Sequence, residues 1–165
     1  MLPLPAGEGW GGGSKVKIMT VDSILGPKMI YRRIDPTADC GIQVFGKDLK
    51  GLFENAGLAL FDLIADVSLV NPAFEYPVQV AGSDWADLMV NWLRELLHFW
   101  SGKELIVKEI KVMEISEYQL SARISVDAFD AAKHRLNHEI KAVTYHRIQV
   151  TNTPTGWEAI VILDV

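Results

Sequence analysis

The clearest constraint on the fold is the stretch DWADLMVNWLRELLHFW at residues 84–100. Trp85, Leu88, Met89, Trp92, Leu93, Leu96, Leu97 and Trp100 recur three and four residues apart, which lines them along one face of an α-helix. The three tryptophans on that face bury a large area and anchor the helix against a sheet. Ser83 stands where an N-cap is needed. An earlier helix is legible in DLKGLFENAGLALFDLIAD. There Leu49, Leu52, Phe53, Ala56, Leu60, Leu63 and Ile64 share a face, and Asp48 can accept from the first free N–H groups.

Elsewhere the pattern turns to strands. GIQVF, bounded by Gly41 and Gly46, is a short one. EYPVQVAG is another, and Pro77, which has no N–H to give, assigns it to a sheet edge. LIVKEIKVMEI is apolar but loses its alternation midway, which predicts a bulge. YQLSARISVD alternates cleanly, with Tyr118, Leu120, Ala122, Ile124 and Val126 on one face of a half-solvated antiparallel strand. DAAKHRLNHE is a polar connection. KAVTYHRIQV and WEAIVILDV are two further strands joined by the turn NTPTG; the last is apolar on both faces and belongs mid-sheet, covered on both sides. No internal repeat is legible. The fold class is α+β, two helices packed on a largely antiparallel sheet in a single compact domain.

That domain runs over residues 29–165. Residues 1–28, with LPLPAGEGWGGGS, mix Pro and Gly without period and are expected to be a disordered extension or the product of a misplaced start codon. One cysteine, Cys40, excludes an internal disulfide and fits a reducing compartment. The net charge of -5, with Lys and Arg scattered, offers no cation cluster for nucleic-acid phosphates. No apolar run approaches the roughly 20 residues of a membrane span. A soluble, cytoplasmic protein is expected.

Most enzyme templates are missing. The glycine-rich start lacks the flanking strand and helix of a phosphate loop, no G-x-S-x-G occurs, and one Cys with scattered His gives no zinc spacing. Cys40 could pair with His134 or His146 as a nucleophile, but a lone Cys beside an apolar strand is better read as a small buried hydrophobe. His98 lies in the later helix, and His146 shares a face with Ile148 and Val150, the setting of a hydrogen-bonded core histidine. Carboxylates hold more interest. Asp39, in PTADCG, and Asp164, next to the last residue, are hard oxygen donors of the kind Ca²⁺ and Mg²⁺ accept, as is a terminal carboxylate on Val165. If the strands beside them are neighbours, the aspartates meet at one rim, where without a cation they would repel. Read alone, the residues leave two alternatives: Asp39 caps a turn and Asp164 is solvated, or the pair holds a metal, as in a small divalent-metal-dependent hydrolase.

In order, IDPTADCGIQVFG, LKGLFENAGLALFDLI, DLMVNWLRELL, the Lys133-His134 pair, IKAVTYHRIQV and the ending AIVILDV resemble the archease family from Tyr31 to Val165. T-A-D-x-G and K-A-V-T-Y-H are the most specific markers. The resemblance implies an accessory protein, not an enzyme, that helps the GTP-dependent tRNA-splicing ligase of the RtcB type. That ligase joins RNA ends through a guanylylated histidine and uses manganese, and the helper promotes guanylylation and multiple turnover in tRNA splicing or RNA repair. It also implies a calcium site (magnesium and manganese being the other candidates) on Asp39, Asp164 and Val165. Lys141 becomes a residue of partner activation, its ammonium reaching the ligase's nucleotide site; on residue type alone it is equally an exposed lysine blunting a sheet edge. RNA is then met only through the ligase, and the acidic chain suits a basic partner. Two positions depart from the family pattern: Pro36 replaces the histidine that usually precedes T-A-D, and Val126-Asp127 replaces a Gly-Glu pair ahead of Lys133-His134.

Overall fold

The computed structural model describes residues 18–21, 28–35 and 39–165. They fold in the order β1 (Ile18–Val21), β2 (Lys28–Asp35), β3 (Cys40–Gly46), α1 (Leu49–Ile64), β4 (Phe74–Ala81), α2 (Trp85–Ser101), β5 (Leu105–Ile115), β6 (Gln119–Ala128), β7 (Ala142–Val143), β8 (Gln149–Thr153) and β9 (Gly156–Asp164). Every strand pair is antiparallel, and the strands make two sheets where the sequence suggested one. The larger runs β1-β2-β3-β9, with β7 and β8 both pairing to β9; the smaller runs β4-β6-β5.

Local signals explain most of this. β9 is central, as its two apolar faces require. β4, with Pro77, is an edge strand. The lost alternation of β5 is two register shifts against β6, at Val107/Glu109 and Val112/Glu114. KAVTYHRIQV is not one strand: it splits into β7 and β8 around a turn in which Arg147 takes φ 54°. Of residues 1–28, Ile18–Val21 pair with β2 and Lys28 opens β2, so part of that segment belongs to the sheet; residues 1–17 and 22–27 lie outside the described residues.

Helix α1 packs on β2, β3 and β9 of the larger sheet and on β5 of the smaller. Nine of its 16 residues are buried, a wider arc than the single stripe read from the sequence, because it is covered on two sides. Helix α2 packs on β4, β5, β7 and β8 and against α1. Trp92 joins the helices: fully buried, it donates Nε1–H to the Phe53 carbonyl at 2.8 Å.

Both helices enter from a strand in the same way. β3 ends at Gly46, and Asp48 caps α1 by accepting from Gly51 N–H at 2.7 Å. Gly82 follows β4, and Asp84, not Ser83, caps α2 by accepting from Asp87 N–H at 2.8 Å. Asn55 Nδ2 donates to the Phe45 carbonyl at 2.8 Å, and Asn91 Nδ2 donates to the Ala81 carbonyl at 2.9 Å. A Cβ on Gly46 would lie 2.3 Å from Leu52 N, and one on Gly82 would lie 2.5 Å from Leu88 N. Two strand–helix units are therefore built on one G-x-D-x-x-x-L-x-x-N pattern, an internal repeat that four shared residues in ten leave hidden at the sequence level.

Candidate functional site

The rim of interest is set by strand register. β3 and β9 pair from Gly46 opposite Trp157 to Cys40 opposite Leu163. One residue further along each chain stand Asp39 and Asp164. On the other side of β9, Ala142 of β7 pairs with Asp164, and Lys141 N–H donates to the Asp164 carbonyl at 2.7 Å. Asp39, Lys141, Asp164 and Val165, the residues singled out in the sequence, all lie exposed at this one end of the larger sheet. Pro36 lies outside the described residues.

Two of these rim residues, Asp39 and Asp164, carry carboxylates, hard oxygen donors of the kind a divalent cation accepts. Among the described residues no three His, Cys, Asp or Glu side chains form a metal-holding group.

Beneath the rim the chain is tightly held. Cys40 is buried, as its hydrophobe reading required; burial pushes its thiol pKa up, while the charge of Arg33, and a hydrogen bond with it, act the other way. Tyr31 is fully buried and donates to Asp62 Oδ2 at 2.6 Å; burial first, and Asp62 second, push its phenol far up, so it stays a neutral donor. The connection before β7 is tied to the end of α1, with Asn137 N–H on the Ile64 carbonyl at 2.8 Å and His138 N–H on the Leu63 carbonyl at 3.1 Å.

The histidines fall elsewhere. His134 is buried, its Nδ1 accepting from Asp130 N–H at 3.0 Å and its Nε2 facing Asp127 Oδ2 at 3.4 Å. Asp127, which keeps the charge of the usual Glu, thus sets its carboxylate against the histidine of the Lys133-His134 pair. His146 is exposed in the turn after β7, not a core histidine, because the strand expected to bury it breaks there.

Sequence reasoning missed a cluster that grips β7. Arg94 Nε donates to the Val143 carbonyl at 3.1 Å, and its guanidinium lies 4.7 Å from the centre of the Tyr145 ring. Tyr145 donates its hydroxyl to Asp87 Oδ1 at 2.6 Å, while Asp87 Oδ2 accepts from Ser83 N–H at 2.9 Å and from Ser83 Oγ at 3.3 Å. The Tyr145 hydrogen bond, reinforced by Ser83, holds the Asp87 carboxyl below the usual carboxylate range, and Asp87 in turn raises the Tyr145 phenol. The one signal in the sequence was Tyr145 itself, inside K-A-V-T-Y-H; its partners lie on the polar side of the tryptophan helix.

Known proteins resemble this chain in sequence and in fold. The pattern that defines the Archease protein family (MTH1598/TM1083) matches residues 31–165. Protein archease of Methanosarcina barkeri is 34% identical over 139 residues, covering 82% of this chain and 95% of that one. Protein archease-like of Drosophila melanogaster is 29% identical over 149 residues, covering 87% and 96%. The solution structure of Methanobacterium thermoautotrophicum protein 1598 superposes with a TM-score of 0.71 at 32% identity, covering 82% of this chain and 99% of that one. By sequence pattern and by fold, the chain belongs to the archease family.

Proposed function

We propose that this chain is a non-catalytic, metal-binding accessory protein that activates a GTP-dependent RNA ligase of the RtcB type, promoting its guanylylation and repeated turnover in tRNA splicing or RNA repair. Family membership supports the kind of role. The observation that carries it for this chain is the register of β3, β9 and β7, with Asp39, Asp164 and Lys141 at one rim.

The chemistry follows from charge. Asp39, Asp164 and the Val165 carboxylate would hold calcium, or magnesium or manganese in its place, and a cation there would offset their repulsion and tie the ends of β3 and β9 together. Lys141, immediately before the neighbouring strand, offers an ammonium to the nucleotide phosphates of the ligase. An accessory protein shifts its partner's equilibrium only by binding one state better than another, so the rim must fit the guanylylation-competent ligase preferentially. The net charge of -5 favours a basic, RNA-binding partner and predicts association that weakens with salt. RNA is met through the ligase, and the place of action is the cytoplasm. Among the described residues no helix is long and apolar enough to cross a membrane.

The test is RNA joining by the cognate ligase under excess substrate, with the wild type, Asp39→Ala and a C-terminally extended variant. The expected result is multiple turnover with the wild type alone. Equal stimulation by all three removes the metal from the mechanism. No stimulation by any of them, or tight RNA binding without ligase, defeats the accessory role.

A further inference from the structure

We infer that Arg94, Tyr145 and Asp87 are positioning residues, forming a clamp between α2 and the segment after β7 that holds β7 against β9 and so sets Lys141 beside Asp164 and Val165. The consequence for a ligase rests on the function proposed above; the clamp itself rests on geometry alone.

β7 contributes only two residues to the sheet, Ala142 and Val143. So short a strand has little pairing of its own to fix its place, and local opening is the expected weakness of such a segment. Six contacts compensate. Lys141 N–H reaches the Asp164 carbonyl at 2.7 Å, and Thr144 reaches the Ile162 carbonyl through both N–H (3.1 Å) and Oγ1 (2.8 Å). From α2, Arg94 holds the Val143 carbonyl and covers the Tyr145 ring, and Tyr145 closes the loop onto Asp87.

The anchor of this chain is rigid. Asp87 sits in the first turn of α2, fixed through its second oxygen by Ser83, and the opposite face of that helix is core, with Leu88, Trp92 and Leu96 fully buried. The clamp residues themselves are outside the core: Tyr145 is 48% exposed and Arg94 is exposed. Surface charge networks add little to global stability. Arg94 touches β7 at Val143, and Asp87 holds Tyr145 just beyond its end, so the network acts on that strand's position, and its nearest neighbour at the rim is Lys141.

The test uses the full chain with Arg94→Gln, Tyr145→Phe and Asp87→Asn. Amide hydrogen exchange, read by NMR at Lys141 and Thr144, should accelerate about ten-fold or more in Arg94→Gln and Tyr145→Phe, with the core amides of Leu60 and Leu93 unchanged. In ligase stimulation the same variants should lower the maximum while leaving the half-saturating concentration unchanged, because the docking surface is kept and only Lys141 is loosened. Unaltered exchange at Lys141 and Thr144 in all three variants overturns the clamp. So does a raised half-saturating concentration with exchange intact, which makes Tyr145 a partner contact instead. Faster exchange in the variants, alongside a wild type that stimulates no ligase, keeps the clamp and removes the function it was thought to serve.

Discussion

The two strand–helix junctions share a glycine, a capping aspartate, a leucine and an asparagine, yet they end up serving different purposes. At the first, the residue three past the cap is Gly51, and the helix it opens is buried on two sides. At the second, that residue is Asp87, whose carboxylate reaches back to Ser83 and out to Tyr145. One side chain turns a structural unit into a docking point for the loop that follows Lys141. The lesson is that the repeat fixes how each helix leaves its strand, while the position it leaves free decides what the helix end can hold.

Equivalence of the two units is tested hardest at their glycines. Gly46→Ala and Gly82→Ala both drive a Cβ into helix backbone, so each should cost about 2–3 kcal/mol in urea unfolding. Loss at Gly46 alone would mean that α2 can slide away from β4 and that the resemblance between the units is superficial. The asparagines give a smaller, graded version. Asn55→Ala strips a part-buried bond and should cost about 1–2 kcal/mol, whereas the exposed bond of Asn91 should be worth about 0.5–1 kcal/mol. A reversed order would place the more constrained helix entry at α2.

Much of the frame was legible because it depends on local chemistry. Asp48 as cap, Pro77 at an edge, the broken alternation of β5 and the two-faced apolarity of β9 each follow from a few adjacent residues. What stayed hidden depends on distance. The division into two sheets, the capture of Ile18–Val21 by β2 and the break between β7 and β8 are decided by partners far along the chain. The rim sits between these cases: Asp39 and Asp164 were visible as oxygen donors, but their meeting required that β3 and β9 be neighbours in one particular register. The Tyr145–Asp87 bond spans 58 residues and joins two side chains that look like ordinary surface. Nothing local announces it.

Giving the second junction the first one's residue narrows the comparison to a single group. Asp87→Gly removes a carboxylate from the positive end of α2 and adds backbone freedom, which together should lower the Tm in thermal unfolding. No change at Gly51 can release Tyr145 in the same way.

The finest distinction lies in pH. The folded-state pKa of Asp87 is depressed, chiefly by Tyr145 and next by Ser83, so its contribution is present above the ordinary carboxylate value of about 3.9 and is lost as pH falls through the lower, folded value. Tyr145 is shifted up, chiefly by Asp87, so its contribution is present below the ordinary phenol value of about 10 and is lost as pH rises through the higher, folded one. Between those limits the bond is level. The Tm difference between the wild type and Asp87→Asn should therefore be constant from about pH 5 to 9 and shrink toward pH 3, all the more at low salt. A difference that persists unchanged at pH 3 would show that the carboxylate charge of Asp87 is irrelevant to the second junction, leaving only the shape of its side chain to set it apart from Gly51.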